Sequence, residues 1–506
     1  MEESKELHTQ AGENDAVQRQ AMRGAEQYRA LRKTYPEFIY HGFTAEETDK
    51  ELKVTYLFEI SGLAKFYPGW IFPKDVCMAA HGGRKEQKQR LLKEMLFSLG
   101  LVELVSYWKL TCSPRVVIKA GKLNEEQIAW WKRLYFHGLG EFFYINQITG
   151  VQAEDLMEMA AKPPLPEDEK IREEDRRDTQ PKNFLPEPGC RVLVPIGGGK
   201  DSAVTLELLK EAKADRWGYV INSRGATIET AKAAGLLAGK VLSAVRTLDK
   251  TMLELNRKGF LNGHTPFSAV VAFSSLVMAE LYGMSCIALS NESSANESTI
   301  QGSTVNHQYS KSFQFEKDFY EYSRTFLPGS AYYFSMLRPL SEFQIAGYFS
   351  SCKAYHDIFR SCNVGSKADA WCGHCPKCLF VAAILSPFLS QEELRKIWGK
   401  NLFEDESLLG ILEQLTGIQE EKPFECVGSR SEVNTALYLT VSRLEREGIP
   451  LPALLACYRT TPKFEEAKKS GDVFSDYFDE ENLVPEPWKT LVRCRCAGEE
   501  ARKRIR

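Results

Sequence analysis

The residues with the clearest chemical capacity lie in VLVPIGGGKDS, residues 192–202. An apolar run stops at Gly197, Gly198 and Gly199, and Lys200, Asp201 and Ser202 follow. The next stretch, AVTLELLKEAK, has helical spacing. A strand that turns through glycines into a helix N-terminus is suited to anions. Glycine lets backbone N–H groups approach closely, and the unpaired first-turn amides and the helix dipole favour negative charge. Lys200 adds a point charge and Ser202 a hydroxyl donor, so the stretch reads as a phosphate cradle. It is not the G-x-x-x-x-G-K-[ST] loop, because Asp201 follows Lys200. Nor is it G-x-G-x-x-G, because position 202 is serine.

A second constellation is SCNVGSKADAWCGHCPKC, residues 361–378, with Cys362, Cys372, Cys375 and Cys378 spaced C-x9-C-x2-C-x2-C. Overlapping C-x2-C pairs bring three thiolates to one ion, and the preceding loop supplies a fourth. Structural zinc is the leading reading, with His374 as a substitute ligand. A [4Fe–4S] centre is the competing one. The chain has 13 cysteines and its first residues are polar, with no leader-like apolar core, so a disulfide framework is not expected.

The elements that must position these groups alternate in type. CRVLVPIG, WGYVINS, KVLSAVRT and CIALSNE are short β-rich runs separated by helical stretches. That alternation predicts a parallel sheet covered on both faces, with ligands at the carboxyl ends of its strands. Asn222 closes the second run and Asn291 and Glu292 the fourth. Upstream, alternating aromatic runs (EFIYHGF, KVTYLFEISGLAKFYPGWIF) and helical spacing after Asn124 predict an α+β domain. The expected organisation is a polar extension at 1–30, an N-terminal α+β, substrate-binding domain at 31–160 and a Pro- and charge-rich linker at 161–189. An α/β nucleotide domain at 190–390 follows, then a helical region at 391–465 and a tail at 466–506, whose basic end reads as flexible.

Composition narrows the function classes. The chain has 506 residues, 43% hydrophobic and 26% charged, with a formal net charge of −3. That balance argues against broad nucleic-acid binding, and no apolar run is long enough to span a bilayer. A cytoplasmic protein is expected.

The loop resembles the S-G-G-x-D-S loop of the ATP pyrophosphatase (PP-loop) superfamily, which splits ATP into AMP and pyrophosphate, with Gly197 in place of serine. The resemblance implies an adenine nucleotide alpha hydrolase-like, doubly wound sheet. It implies ATP and Mg²⁺ at Gly197, Gly198, Gly199, Lys200, Asp201, Ser202, Asn222, Asn291 and Glu292. In NHQYSKSFQFE, residues 306–316, Lys311 is the candidate pyrophosphate-facing lysine and His307 a candidate proton-transfer group; His264 and Cys426 are further candidates for the latter. The cysteine block is similar to the zinc site of 7-cyano-7-deazaguanine synthases. A longer resemblance runs through YFHGLGEFFY, VPIGGGKDS, NGHTPF, SNESSANE, NHQYSKSFQFE, SPFL and KPFECVG, in order, from about residue 40 to 460. It is to the bacterial UDP-N-acetyl-α-D-muramoyl-L-alanyl-L-glutamate epimerase family. It implies UDP-MurNAc-L-Ala-L-Glu as substrate, activated by adenylation of the terminal carboxylate, in peptidoglycan biosynthesis. The alternatives are another PP-loop adenylating enzyme acting on a nucleobase or tRNA, and a nucleotide-binding protein without catalysis.

Overall fold

The computed structural model describes residues 24–75, 85–179, 184–187, 189–296, 309–423, 425 and 427–505. It is an α/β structure in which eleven strands, most of them parallel to their neighbours, are accompanied by many helices. The chain forms two compact units, neither continuous in sequence. One takes Met1–Ile71, Leu92–Glu174 and Arg246–Phe273; the other takes Phe72–Leu91, Asp175–Val245 and Ser274–Arg506. Among the described residues no helix is long and apolar enough to cross a membrane.

In the first unit β1 (Glu37–Glu47) pairs antiparallel with β2 (Glu51–Ile60), and β2 with β3 (Ala64–Phe66). After β4 (Gly69–Pro73), β5 (Arg115–Lys122) lies parallel to β1, and β6 (Glu158–Lys162) parallel to β5. Strand periodicity explains the core. Leu52, Val54, Tyr56, Phe58 and Ile60 of β2 alternate inward and are all buried. Helical residues pack on that face closely enough to need Gly100, where an added Cβ would fall 2.0 Å from the Tyr40 hydroxyl. The segment read as a linker contains the helix Pro166–Thr179, whose first turn carries Glu167, Asp168 and Glu169 as the helix dipole favours.

In the second unit β7 (Arg191–Pro195), β8 (Asp215–Ile221), β9 (Val241–Thr247), β10 (Cys286–Leu289) and β11 (Tyr332–Ser335) form a parallel run in the order β11-β10-β7-β8-β9. The chain winds outward from β7 to β9, then returns to β10 on the other side of β7. The carboxyl ends of β7 and β10 therefore flank the point where the winding reverses, the place such sheets bind ligands. Helices follow from residue 376. In helix Pro376–Leu385 every residue from Lys377 onward is buried. Ser390 with Glu393 and Ser429 with Glu432 form capping boxes that start two more helices. The terminal segment, expected to be a flexible tail, is folded. Helix Trp488–Cys496 buries Trp488, Val492 and Cys496, because their i, i+4 and i+8 spacing puts all three on one face.

Candidate active site

The glycine turn joins β7 to the helix Lys200–Glu211. Gly198 has φ +83, and an added Cβ would lie 3.0 Å from the Ala226 Cβ. Both facts require glycine. Gly199 is the helix N-cap and makes no side-chain cap bond, so the first-turn amides have no capping side chain competing with an anion. Ser202 is buried, its hydroxyl donating to the Gly199 carbonyl at 3.2 Å.

The Lys200 ammonium is buried and donates to Asp201 and to Glu342, the latter 142 residues away. Burial would lower the lysine's pKa, but the two carboxylates outweigh it and hold it well above the ordinary value. Burial pushes Glu342 up to about 7 against the pull of Lys200, with Asp201 and Glu292 adding to the rise. Glu292 is raised by burial and countered by Lys311. Burial also opposes ionisation of Asp201, yet Lys200 and Lys377 hold it below the usual carboxylate range. Asp201, Glu292 and Glu342 each offer an oxygen within 4.8 Å of the others. Hard oxygen donors at that spacing suit a divalent cation.

Buried Arg338 organises this site. It donates to Glu316 at 2.8 Å, to the Glu292 carbonyl, and to the Lys311 carbonyl at 2.5 Å. Glu316 also accepts the Ser335 N–H at 2.9 Å, and Ser335 exchanges two 2.7 Å hydrogen bonds with the Asn291 backbone. The loop after β10 and the turn carrying Lys311 are thus fixed to one guanidinium. On the other side, the Glu342 N–H donates to Glu432 at 2.6 Å, setting the start of helix Glu342–Ser351.

The four cysteine sulfurs converge. Cys362 and Cys375 are 3.6 Å apart, Cys372 and Cys378 3.7 Å, and Cys375 and Cys378 3.6 Å. Sulfurs about 2.3 Å from one tetrahedral ion would be roughly 3.8 Å apart, so the set fits a single metal ion. Backbone N–H groups of Gly365 and Gly373 point at Cys362 and Cys378, at 3.2 and 3.4 Å. His374 is turned to the Cys372 carbonyl and is not needed as a ligand. The residue just before the block touches the glycine turn, since the Arg360 N–H donates to the Gly198 carbonyl at 2.7 Å.

Of the residues singled out in the sequence, Asp201, Glu292, Lys200 and Lys311 therefore meet. Asn222 follows β8 with φ +52, its N–H bonded to the Ala244 carbonyl at 2.9 Å. His307 and Cys426 lie outside the described residues. Glu342, Arg338 and Glu316 were missed. Glu342 follows Ser341 in a capping motif, S-E-F-Q, which signals a helix start and nothing more.

Family comparisons cover most of the chain. Residues 29–336 match the MurL N-terminal domain and residues 348–470 the MurL C-terminal domain. A protein of Xanthomonas oryzae pv. oryzae named UDP-N-acetyl-alpha-D-muramoyl-L-alanyl-L-glutamate epimerase is 36% identical over 364 residues, covering 70% of this chain and 76% of that protein. The chain belongs to the MurL family. MurL relatives with the same name occur in Micromonospora sp., at 32% identity over 71% of this chain and 77% of the relative, and in Salinispora tropica, at 32% over 70% and 74%. The glycine loop, Glu292 and Lys311 fall in the MurL N-terminal match and the four cysteines in the C-terminal one. Arg338 and Glu342 come from the short segment between the two.

A second buried polar cluster lies in the first unit of this MurL chain. Glu103 accepts from Trp70 at 2.9 Å and from Arg246 at 2.6 and 2.7 Å. Lys109 donates to the Gly263 carbonyl, and the adjacent His264 lies 3.6 Å from Glu141. Burial, then Arg246, pushes the Lys109 pKa down to about 8.

Proposed function

We propose that this protein inverts the terminal L-glutamate of UDP-MurNAc-L-Ala-L-Glu to D-glutamate, at the expense of ATP, through an acyl-adenylate. Family membership supports the epimerase activity and its substrate, since the curated relatives bear that name. The observation that carries the mechanism is the assembly of the glycine turn, Lys200, Asp201, Glu292 and Glu342 where the winding reverses. The strand order and the glycine-first loop support reading the second unit as a PP-loop nucleotide domain.

The chemistry follows from charge. Taking an α-proton beside a free carboxylate places two negative charges side by side. In our reading the substrate carboxylate oxygen bonds to the α-phosphorus of ATP, the bond from that phosphorus to the bridging oxygen breaks, and pyrophosphate leaves with the electron pair. The acyl carbonyl, freed of its charge, becomes an electron sink, and the α-proton becomes acidic enough for a general base. Reprotonation on the opposite face inverts the centre, and water releases AMP. The glycine-turn amides, Lys200 and Lys311 bind and orient the phosphates. Mg²⁺ on Asp201, Glu292 and Glu342 would screen the leaving pyrophosphate. His307 is the proton-transfer group we assign, because histidine is the residue type whose unperturbed pKa lies near neutrality. Zinc at the four cysteines would be structural.

The test is incubation with ATP, Mg²⁺ and UDP-MurNAc-L-Ala-L-Glu. The expected outcome is substrate-dependent pyrophosphate together with D-glutamate on chiral analysis. Pyrophosphate without inversion would remove the epimerase and keep the adenylation. D-glutamate formed without ATP would remove the adenylate.

A further inference from the structure

Residues 338–344 lie between the two MurL matches and bond in two directions. Some of their bonds go to the loops of the candidate active site. Arg338 donates to the Glu292 and Lys311 carbonyls, and the Leu340 carbonyl accepts the Ser293 N–H at 3.1 Å. Others go to the C-terminal segment, residues 471–505, which lies beyond both matches. The Pro339 carbonyl accepts the Asp479 N–H at 2.8 Å, and the Gln344 side-chain amide donates to the Tyr477 carbonyl at 2.7 Å.

The C-terminal segment is itself anchored in the second unit. Phe474 packs on Phe343 with ring centres 6.2 Å apart, and Trp488 on Phe334 at 5.8 Å. The Leu483 carbonyl accepts the Tyr332 hydroxyl at 2.9 Å. Ser475 is fully buried, and its carbonyl accepts the Gly498 N–H at 2.6 Å. Arg495 pairs at 2.6 Å with Glu211, the last residue of the helix that Lys200 opens. The segment thus reaches both helices whose first turns bring Lys200 and Glu342 together. Gln344 is where these ties meet the site. It is 2% exposed, and both ends of its amide are used. The oxygen accepts the Ser341 N–H and hydroxyl, each at 3.0 Å, in the capping box that starts helix Glu342–Ser351. The nitrogen donates to Tyr477.

We infer that Gln344 is a positioning residue of the active site, tying the helix start that carries Glu342 to the C-terminal segment. The inference rests on the reading above, in which Asp201, Glu292 and Glu342 hold the divalent cation that accompanies ATP. Such a ligand set must be held to within about 0.5 Å. In the nucleotide-free protein the Glu342 carboxylate is engaged by Lys200. For Glu342 to leave Lys200 for a cation, the helix start must be held by bonds that do not use the carboxylate. The Glu342 N–H to Glu432 is one such bond, and Gln344 to Tyr477 is another. Gln344 acts through Glu342 and contacts neither the cation nor the nucleotide.

The experiment compares wild type, Gln344→Met and Ser341→Ala. Each variant loses half of the capping box, but only Gln344→Met loses the bond to Tyr477. ATP affinity is measured by calorimetry, without the acceptor substrate, at a series of Mg²⁺ concentrations, and pyrophosphate release is measured over the same series. Both variants should melt at a lower temperature than wild type. Gln344→Met should need about tenfold more Mg²⁺ for half-maximal ATP binding and for half-maximal rate, with the rate recovering at saturating Mg²⁺. Ser341→Ala should need the wild-type concentration. An unchanged Mg²⁺ requirement in Gln344→Met overturns the inference and leaves the proposed function standing. An equal rise in both variants overturns it as well, because the cap alone would then explain the effect. So does a loss of rate that saturating Mg²⁺ does not recover, because Gln344 would then matter to the fold alone. Wild-type protein whose ATP binding ignores Mg²⁺, or that binds no ATP, defeats the cation and nucleotide reading itself, and this inference with it.

Discussion

At the scale of single residues the site is a set of mutually dependent charges. Lys200 is buried between Asp201 and Glu342, and removing one partner of a buried pair leaves the others uncompensated. Lys200→Met should destabilise the protein by about 3–5 kcal/mol, read in denaturant titration, and should abolish ATP-dependent pyrophosphate release. A mild effect on both would mean that the ammonium is dispensable. Glu342 gives a pH signature. Burial raises it to about 7, so below that pH the free protein carries a proton there. A cation bound to the carboxylate expels that proton. Mg–ATP affinity should therefore rise with pH up to about 7 and then level off. Its binding heat below that point should depend on the ionisation enthalpy of the buffer. Buffer-independent heats would count against Glu342 as a ligand.

At the scale of elements, the turns and caps decide where those charges stand. Gly198 combines φ +83 with a 3.0 Å approach to Ala226. Gly198→Ala should cost about 1–2 kcal/mol from backbone strain and displace the first-turn amides of the helix that follows. Pyrophosphate release should thus fall more steeply than the thermal midpoint suggests. Arg338 fixes two elements at once, through the Glu292 and Lys311 carbonyls. Lys lacks the planar fork, so Arg338→Lys should lose about 2 kcal/mol per charged hydrogen bond forfeited. The check is denaturant unfolding, with ATP affinity falling in parallel.

At the scale of the whole molecule, each unit buries its own apolar side chains, and the four cysteines of one of them could hold a metal ion. Three of the four sulfurs come from C-x2-C-x2-C and one from ten residues upstream. Metal removal should leave those thiolates uncompensated and lower the melting temperature of the unit. Metal analysis should give one ion per chain, and chelation should shift the melt. An unchanged melt after complete removal would argue against a structural metal. In the other unit Gly100→Ala has no room, since its Cβ would lie 2.0 Å from the Tyr40 hydroxyl and 2.7 Å from Tyr56. Overpacking of a core costs about 1–3 kcal/mol, and a thermal melt would register it.

The glycine turn, the alternating strands of β2, the helix starts and the cysteine spacing were all legible in the sequence, because each is a local matter. Backbone conformation, strand periodicity and chelation by near neighbours depend on residues a few positions apart. Family likeness was legible for the same reason, as a series of short segments in order. The partners of Lys200 were not. Glu342 looks in sequence like an ordinary helix start, and Arg338 like one more charge after a strand. Each becomes part of the site only because doubly wound topology carries chain ends from distant segments to the edge between β7 and β10. The same holds for the two units, which exchange the segments 72–91 and 246–273 in sequence order. No local pattern encodes that exchange, because membership of a unit depends on contacts between segments far apart in sequence.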